Sequence, residues 1–183
     1  MERLNMMFKT MKTLLAIGVL GVMTSCSSKG ITSYENVEPK LVLEEYFNGP
    51  IKAWGLVQDR SGQVKRRFDV DLVGKWDGDT GTLTEHFKYY DGETQDRVWT
   101  ITKVAQNKYE GTAGDIRGKA SGQIAGNAVR WAYVMDLEVG GTTYAITFDD
   151  WMFLMNDGVL INKSKLKKFG FSVGELTLFM QKQ

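Results

Sequence analysis

Cysteine and histidine are almost missing from this chain. Its 183 residues hold one cysteine, Cys26, and one histidine, His86. A single cysteine forbids an intramolecular disulfide. Alternation places His86 on the outward face of its segment, opposite Glu85 and Phe87. With Cys26 beside an N-terminal leader, Ser-His-Asp triads, Cys-His pairs and His-based zinc sites are excluded within one chain. Proline occurs twice, and formal charge sums to +1. No basic surplus points to nucleic acid, and no block of like charge forms an interaction tail. Long apolar runs are absent too, since a bilayer-spanning helix needs about 20 apolar residues. "TLLAIGVLGVM" (Thr13–Met23) is shorter than that.

What is present at the N-terminus reads as a leader. "MERLNMMFKTMK" supplies a basic stretch, the apolar run follows, and small residues precede Cys26. That order is a signal peptide over residues 1–25. "VMTSCSS" resembles the lipobox of bacterial lipoproteins, with Met23 where leucine is usual. The resemblance implies that Cys26 is acylated and becomes the new N-terminus. Ser27 at the following position implies the outer membrane of a Gram-negative bacterium, with the protein facing the periplasm. The implied partner is therefore a membrane, reached through an N-terminal lipid. Loss of residues 1–25 removes Arg3, Lys9, Lys12 and Glu2, leaving 20 basic against 21 acidic side chains. Residues 26–40 are polar and poor in core formers, which predicts a lipidated N-terminus and flexible tether. The domain is expected over 41–183.

From residue 51 onward the chain alternates, and turn signals punctuate it. Ten segments read as strands: 51–58, 63–73, 82–90, 94–104, 108–114, 119–126, 127–139, 142–154, 158–166 and 171–181. Only "LVLEEYFNG" (Leu41–Gly49) reads as a short helix or extended lead-in. Many strands joined by tight turns, without crossover helices, predict an all-β fold. The expected form is a single antiparallel up-and-down β-barrel of about eight to ten strands. An interior of that size holds side chains or one small ligand.

Turn chemistry also predicts register. Gly140-Gly141 suits a two-residue hairpin. It pairs Val139 with Thr142, Leu137 with Tyr144, Met135 with Ile146, Tyr133 with Phe148 and Trp131 with Asp150. All lie on one apolar face, so Asp150 is expected inside. Arg66 falls in phase with Phe68, Val70 and Leu72, and pairing through "DRSG" sets it near Gly55. Glu85 is in phase with Leu83 and Phe87, and Arg97 with Trp99. A three-residue loop at "YDGE" sets Glu85 opposite or diagonal to Arg97, whereas a two-residue Asp91-Gly92 turn would reverse that phase. Isolated buried charges cost several kcal/mol, so Arg66, Glu85, Arg97 and Asp150 must be paired, hydrated or matched to a ligand. Both an internal ion-pair network and a polar anchor within an apolar pocket satisfy that rule.

Several stretches resemble one family. They are the run from "FNGPIKAWGLVQ" to "DGETQDRVWTI", then "YEGTAGDIRGKASGQIAGNAVRWAY", "DDWM" and "KFGFSVGELTL". Together they are similar to DUF3833, a family of Gram-negative lipoproteins of unknown function, across residues 34–181. The resemblance implies a lipocalin-like barrel, and no activity or binding residues come with it. It also implies a link to modified acyl lipids, through association with a fatty-acyl modifying enzyme. Gly74-Lys75-Trp76 has the spacing of a lipocalin motif but follows the second strand, so it is not counted as one.

The residues therefore predict a carrier. Arg66 or Arg97 would meet the carboxylate or phosphate of a fatty acid or modified acyl lipid, with Glu85 and Asp150 nearby. Trp99, Trp131, Phe68 and Phe148 would line the pocket. No cofactor, metal or catalytic residue is assigned. Two alternatives stay open: a structural or adaptor lipoprotein with a filled core, and a lipid-modifying enzyme using the carboxylates. "GDIRGKAS" lacks the length and the Ser/Thr of a phosphate loop.

Overall fold

The computed structural model describes residues 30–183. The expected signal peptide and Cys26 lie outside the described residues. Alternation and tight turns carry the chain through ten strands: β1 (Gly49–Asp59), β2 (Val64–Asp77), β3 (Thr80–Tyr89), β4 (Thr94–Ala105), β5 (Lys108–Thr112), β6 (Ile116–Ala125), β7 (Ala128–Val139), β8 (Thr142–Leu154), β9 (Val159–Lys168) and β10 (Phe171–Lys182). Each pairs antiparallel with the next, and β10 returns to β1 from Ile51↔Lys182 to Asp59↔Gly174. The result is the closed up-and-down barrel predicted from the sequence, and closure leaves no edge strand.

The β7–β8 register is the one the glycine pair predicts, from Val139↔Thr142 through Trp131↔Asp150. Gly140 and Gly141 have φ of 59° and 77°, the left-handed pair that such a two-residue turn needs. Glu85 and Arg97 are direct cross-strand partners. The Tyr89 amide donates to the Glu93 carbonyl at 2.9 Å, so the loop between has three residues and both faces stay in phase.

The β1–β2 register needs correction. Arg66 pairs with Val57, and Gly55 faces Phe68. Asp59 and Gln63 close the turn, and a bulge between Val57 and Gln58 adds a further step. The total slip is two residues, so each side chain keeps its face. The space at Gly55 goes to the Phe68 ring, whose Cζ lies 2.4 Å from where a Cβ would sit.

Residues 41–48 close one end of the barrel. Helix α1 (Leu43–Tyr46) brings Leu43 and Tyr46 into the core beside Leu41 and Phe47. Its last turn leaves carbonyls without intrahelical donors. The Lys182 ammonium answers them, donating to Glu45, Tyr46 and Asn48 carbonyls at 2.6, 3.0 and 2.6 Å. Glu44 accepts from Lys103 at 2.7 Å and from the Tyr109 hydroxyl at 2.9 Å. Gly74 lets the plug approach, since a Cβ there would stand 1.7 Å from the Phe47 carbonyl oxygen. The Trp76 indole donates to that same oxygen at 3.1 Å.

Within the stretch expected to be a tether, residues 31–34 pack against the barrel. A 3-10 helix at Ile31–Tyr34 buries Ile31 against Ala125 and Ala128. Tyr34 packs on Phe153 and Trp151, with ring centroids 5.3 and 6.0 Å apart. Two apolar side chains in a polar stretch are enough to dock it on the outer wall.

Candidate functional site

The packed interior leaves a cavity of about 110 Å³, reaching from the α1 plug to an aromatic layer nearer the opposite end. Its wall is mostly apolar, with Leu83, Trp99, Ile101, Trp131, Met152 and Leu178 among the contributors. Glycines shape it. A Cβ at Gly111 would fall 2.5 Å from Trp131 Cζ2, and one at Gly122 would fall 2.2 Å from Cε3. The indole of Trp131 lies in that cleft, and Trp99 meets it edge-on at 6.1 Å.

Polar groups enter this wall from four strands. Arg97 on β4 turns its guanidinium to Asp115, with Nε 2.9 Å and Nη2 2.7 Å from Oδ2. Glu85 Oε2 is farther, 3.7 Å from Nη1. Arg97 Nη2 also donates to the Met135 sulfur at 3.6 Å, and its Cζ lies 5.2 Å from the Phe87 ring centre. Asp150 on β8 is 3% exposed, and its cross-strand neighbours are Trp131 and Ser164. Asn162 on β9 completes the polar set.

Buried polar atoms are nearly always hydrogen-bonded, and these are exceptions. Glu85 Oε2, Asp115 Oδ1, Asp150 Oδ1, Asn162 Oδ1 and Ser164 Oγ have no hydrogen-bond partner. Burial pushes the Glu85 carboxyl up to about 7, with Arg97 opposing and Asp115 reinforcing the rise. Burial likewise pushes Asp150 up to about 7, against the Ser164 and Tyr133 hydroxyls and with the Asp149 charge. The Tyr133 hydroxyl rises well above its ordinary value, through burial and then the Asp150 charge. Burial works against the charge on Arg97, but Glu85 and Asp115 more than offset it. Asp149, one residue from Asp150, faces outward and shows the contrast. Burial raises it, yet Arg130 at 2.8 Å and Lys167 at 2.9 Å bring it below its usual range.

Among the residues singled out from sequence, the structure brings Phe68, Glu85, Arg97, Trp99, Trp131 and Asp150 to the cavity wall. Phe148 is buried and stacks flat on Tyr133 at 5.0 Å, outside that wall. Arg66 sits at the open rim. Its Nε donates to Asp91 at 2.9 Å, Glu93 takes its other side, and its Cζ lies 3.5 Å over the Tyr89 ring. The four charges are thus two separate groups. Arg66 is spent on two loop carboxylates, while Arg97 meets Asp115 and Glu85, with Asp150 on the same cavity wall.

Sequence reasoning misses Asp115, Asn162 and Ser164. Asn162 and Ser164 are in phase with Leu160 and Leu166 on β9, a signal available to a period-of-two reading. Asp115 lies in the β5–β6 turn and carries no such signal. Alternation puts Tyr133 on the correct face without marking it as part of the site. His86 points outward, 2.5 Å from Asp96 through Nδ1. Among the described residues, no three His, Cys, Asp or Glu groups gather as metal ligands.

The arrangement can accept hydrogen bonds inside an apolar chamber, and it can hold or release protons near neutrality. Among the described residues it offers no free cation. No relative of curated function matches the sequence. The model of a family described as protein of unknown function, DUF3833, matches residues 20–182, and with nearly the whole chain covered this protein belongs to that family.

Proposed function

We propose that this barrel is an envelope lipoprotein, anchored through Cys26, that binds or shuttles a small hydrophobic ligand carrying a hydrogen-bond donor. One observation carries the reading: orphaned acceptors on Glu85, Asp150 and Asn162 border an otherwise apolar cavity. Leaving such groups unmatched costs about 1–3 kcal/mol each, and a ligand hydroxyl, amine or neutral acid removes that cost. An ionised carboxylate or phosphate suits the site poorly, because Arg97 already serves Asp115 and Glu85. A fatty acid enters as its protonated form. Size limits the ligand as well. A dry cavity of about 150 Å³ accepts a benzene-sized ring, so about 110 Å³ takes a ring or the end of an acyl chain unless side chains give way.

The test is mass spectrometry of organic extracts from natively purified protein. The expected result is a stoichiometric apolar compound with a donor group, absent from Asp150→Leu and retained by Arg66→Ala. Protein that arrives empty and takes up neither fatty-alcohol nor fatty-acid probes would defeat the reading and favour a filled structural barrel.

A second reading rests on the two carboxylates poised at about 7. Groups so poised suit acid–base work on a lipid-like substrate. Retained binding with lost turnover in Glu85→Gln or Asp150→Asn would single it out.

A further inference from the structure

The hairpin joining β9 to β10 carries the sequence KSKLKKFGF, Lys163 to Phe171, with four lysines (Lys163, Lys165, Lys167 and Lys168) and no acidic residue. Lys168 pairs with Phe171, so Phe169 and Gly170 form a two-residue turn with φ of 52° and 83°. Such a turn favours Asn, Asp or Gly at its first position. A bulky side chain in the left-handed region is strained. Phe169 is 89% exposed and Phe171 77%. The Phe169 ring has the Lys168 ammonium 5.6 Å away, while that ammonium lies closer, 3.7 Å, to Tyr144. The β7–β8 turn, by contrast, uses two glycines. At Phe169 an unfavourable backbone and an unfavourable exposure coincide, and an observed outlier of that kind points to function.

We propose that this hairpin docks on an anionic lipid surface, with Phe169 and Phe171 entering the interfacial layer and the adjacent lysines meeting the headgroup phosphates. Aromatic rings favour that layer, and each basic residue near an anionic leaflet adds attraction that falls off within a Debye length. Lys167 is bound to Asp149, whereas Lys163, Lys165 and Lys168 make no ion pair with a described residue. Two copies of the chain meeting tip to tip would set lysines against lysines, so charge disfavours a self-interface. The inference stands independently of what the cavity holds.

Residues 30–183 close on themselves, with every strand edge paired and one end plugged, so they serve as the test protein without an acyl anchor. They are sedimented with vesicles of phosphatidylcholine, alone or mixed with phosphatidylglycerol. Binding is expected only to the mixed vesicles, weakening as salt rises. The double variant Phe169→Asn/Phe171→Ser should reduce it by about tenfold or more while melting no lower than the parent. A Phe169→Trp variant should blue-shift its emission on binding. Absence of parent binding, equal binding to neutral vesicles, or unchanged binding of the double variant each overturns the proposal. Parent dimers in lipid-free solution that the double variant abolishes would also overturn it, in favour of a second copy.

Discussion

At one end of the barrel Leu41, Leu43, Tyr46 and Phe47 fold in beneath the sheet, while at the other Phe169, Phe171 and Val139 stand in water. The closed end is over-determined. Buried apolar groups, the Lys182 ammonium on three carbonyls and the Glu44–Lys103 pair all hold the same short segment. Across the open end the groups that meet are chiefly side chains, Arg66 over Tyr89 and with the two carboxylates of the β3–β4 loop. Exposed ion pairs of that kind contribute about 0–1 kcal/mol, and exposed side chains change rotamer within nanoseconds. Side-chain rearrangement is therefore cheaper at the open end, although both ends are layers of aromatic and charged groups.

The comparison breaks most visibly at Gly74. A methyl at that position meets the Phe47 carbonyl, so Gly74→Ala must shift the plug or the sheet. The expected loss is more than about 3 kcal/mol, read as a melting point lower by roughly 10 °C. An unchanged denaturation curve would mean the plug is not what closes that end.

The interior carboxylates sharpen the contrast through pH. Glu85 and Asp150 have folded values raised to about 7 from 4.5 and 3.8. A raised acid binds its proton more tightly when folded. Its stabilisation is complete below the unfolded value and is lost as pH climbs through the folded one. Stability should thus fall from about pH 4 to about pH 7, with each carboxyl contributing on the order of 1 kcal/mol per pH unit. Thermal melts across that window should slope downward in the parent and flatten in Glu85→Gln/Asp150→Asn. A parent whose melting point stays flat would show that these groups are hydrated and titrate as ordinary carboxyls.

Smaller effects are expected at the open end. Phe169→Asn relieves a strained turn and should raise stability by about 1 kcal/mol, or roughly 2–4 °C in melting point. A drop would show that the ring makes contacts that matter to the fold. Arg66→Ala should cost less than about 1 kcal/mol, because its partners Asp91 and Glu93 are largely exposed. A cost comparable to Gly74→Ala would erase the distinction between the two ends.

Much of this barrel is legible in the chain. Val139↔Thr142 through Trp131↔Asp150 follows from two glycines and a period of two, and so does the inward position of Asp150. Glu85 opposite Arg97 follows from a three-residue loop. The error at Arg66 came in equal steps from the turn closed by Asp59 and Gln63 and from a bulge, which adds a residue without any fixed sequence mark. Even so, a slip of two left Arg66 on the face that alternation assigned. The polar appearance of residues 31–40 concealed Ile31 and Tyr34, whose docking depends on a wall elsewhere in the sequence.

What the sequence by itself determined is local: strands, turns, hairpin registers and the face of each side chain, all set by backbone geometry over a few residues. The tertiary structure alone decided which faces meet. Barrel closure set β10 against β1, and the β5–β6 turn carried Asp115 to Arg97. That contact turned the arginine to Asp115 and left one oxygen each of Glu85 and Asp150 without a hydrogen bond. Electrostatic character depends on distances between groups far apart in the chain, and those distances exist only once the barrel has closed.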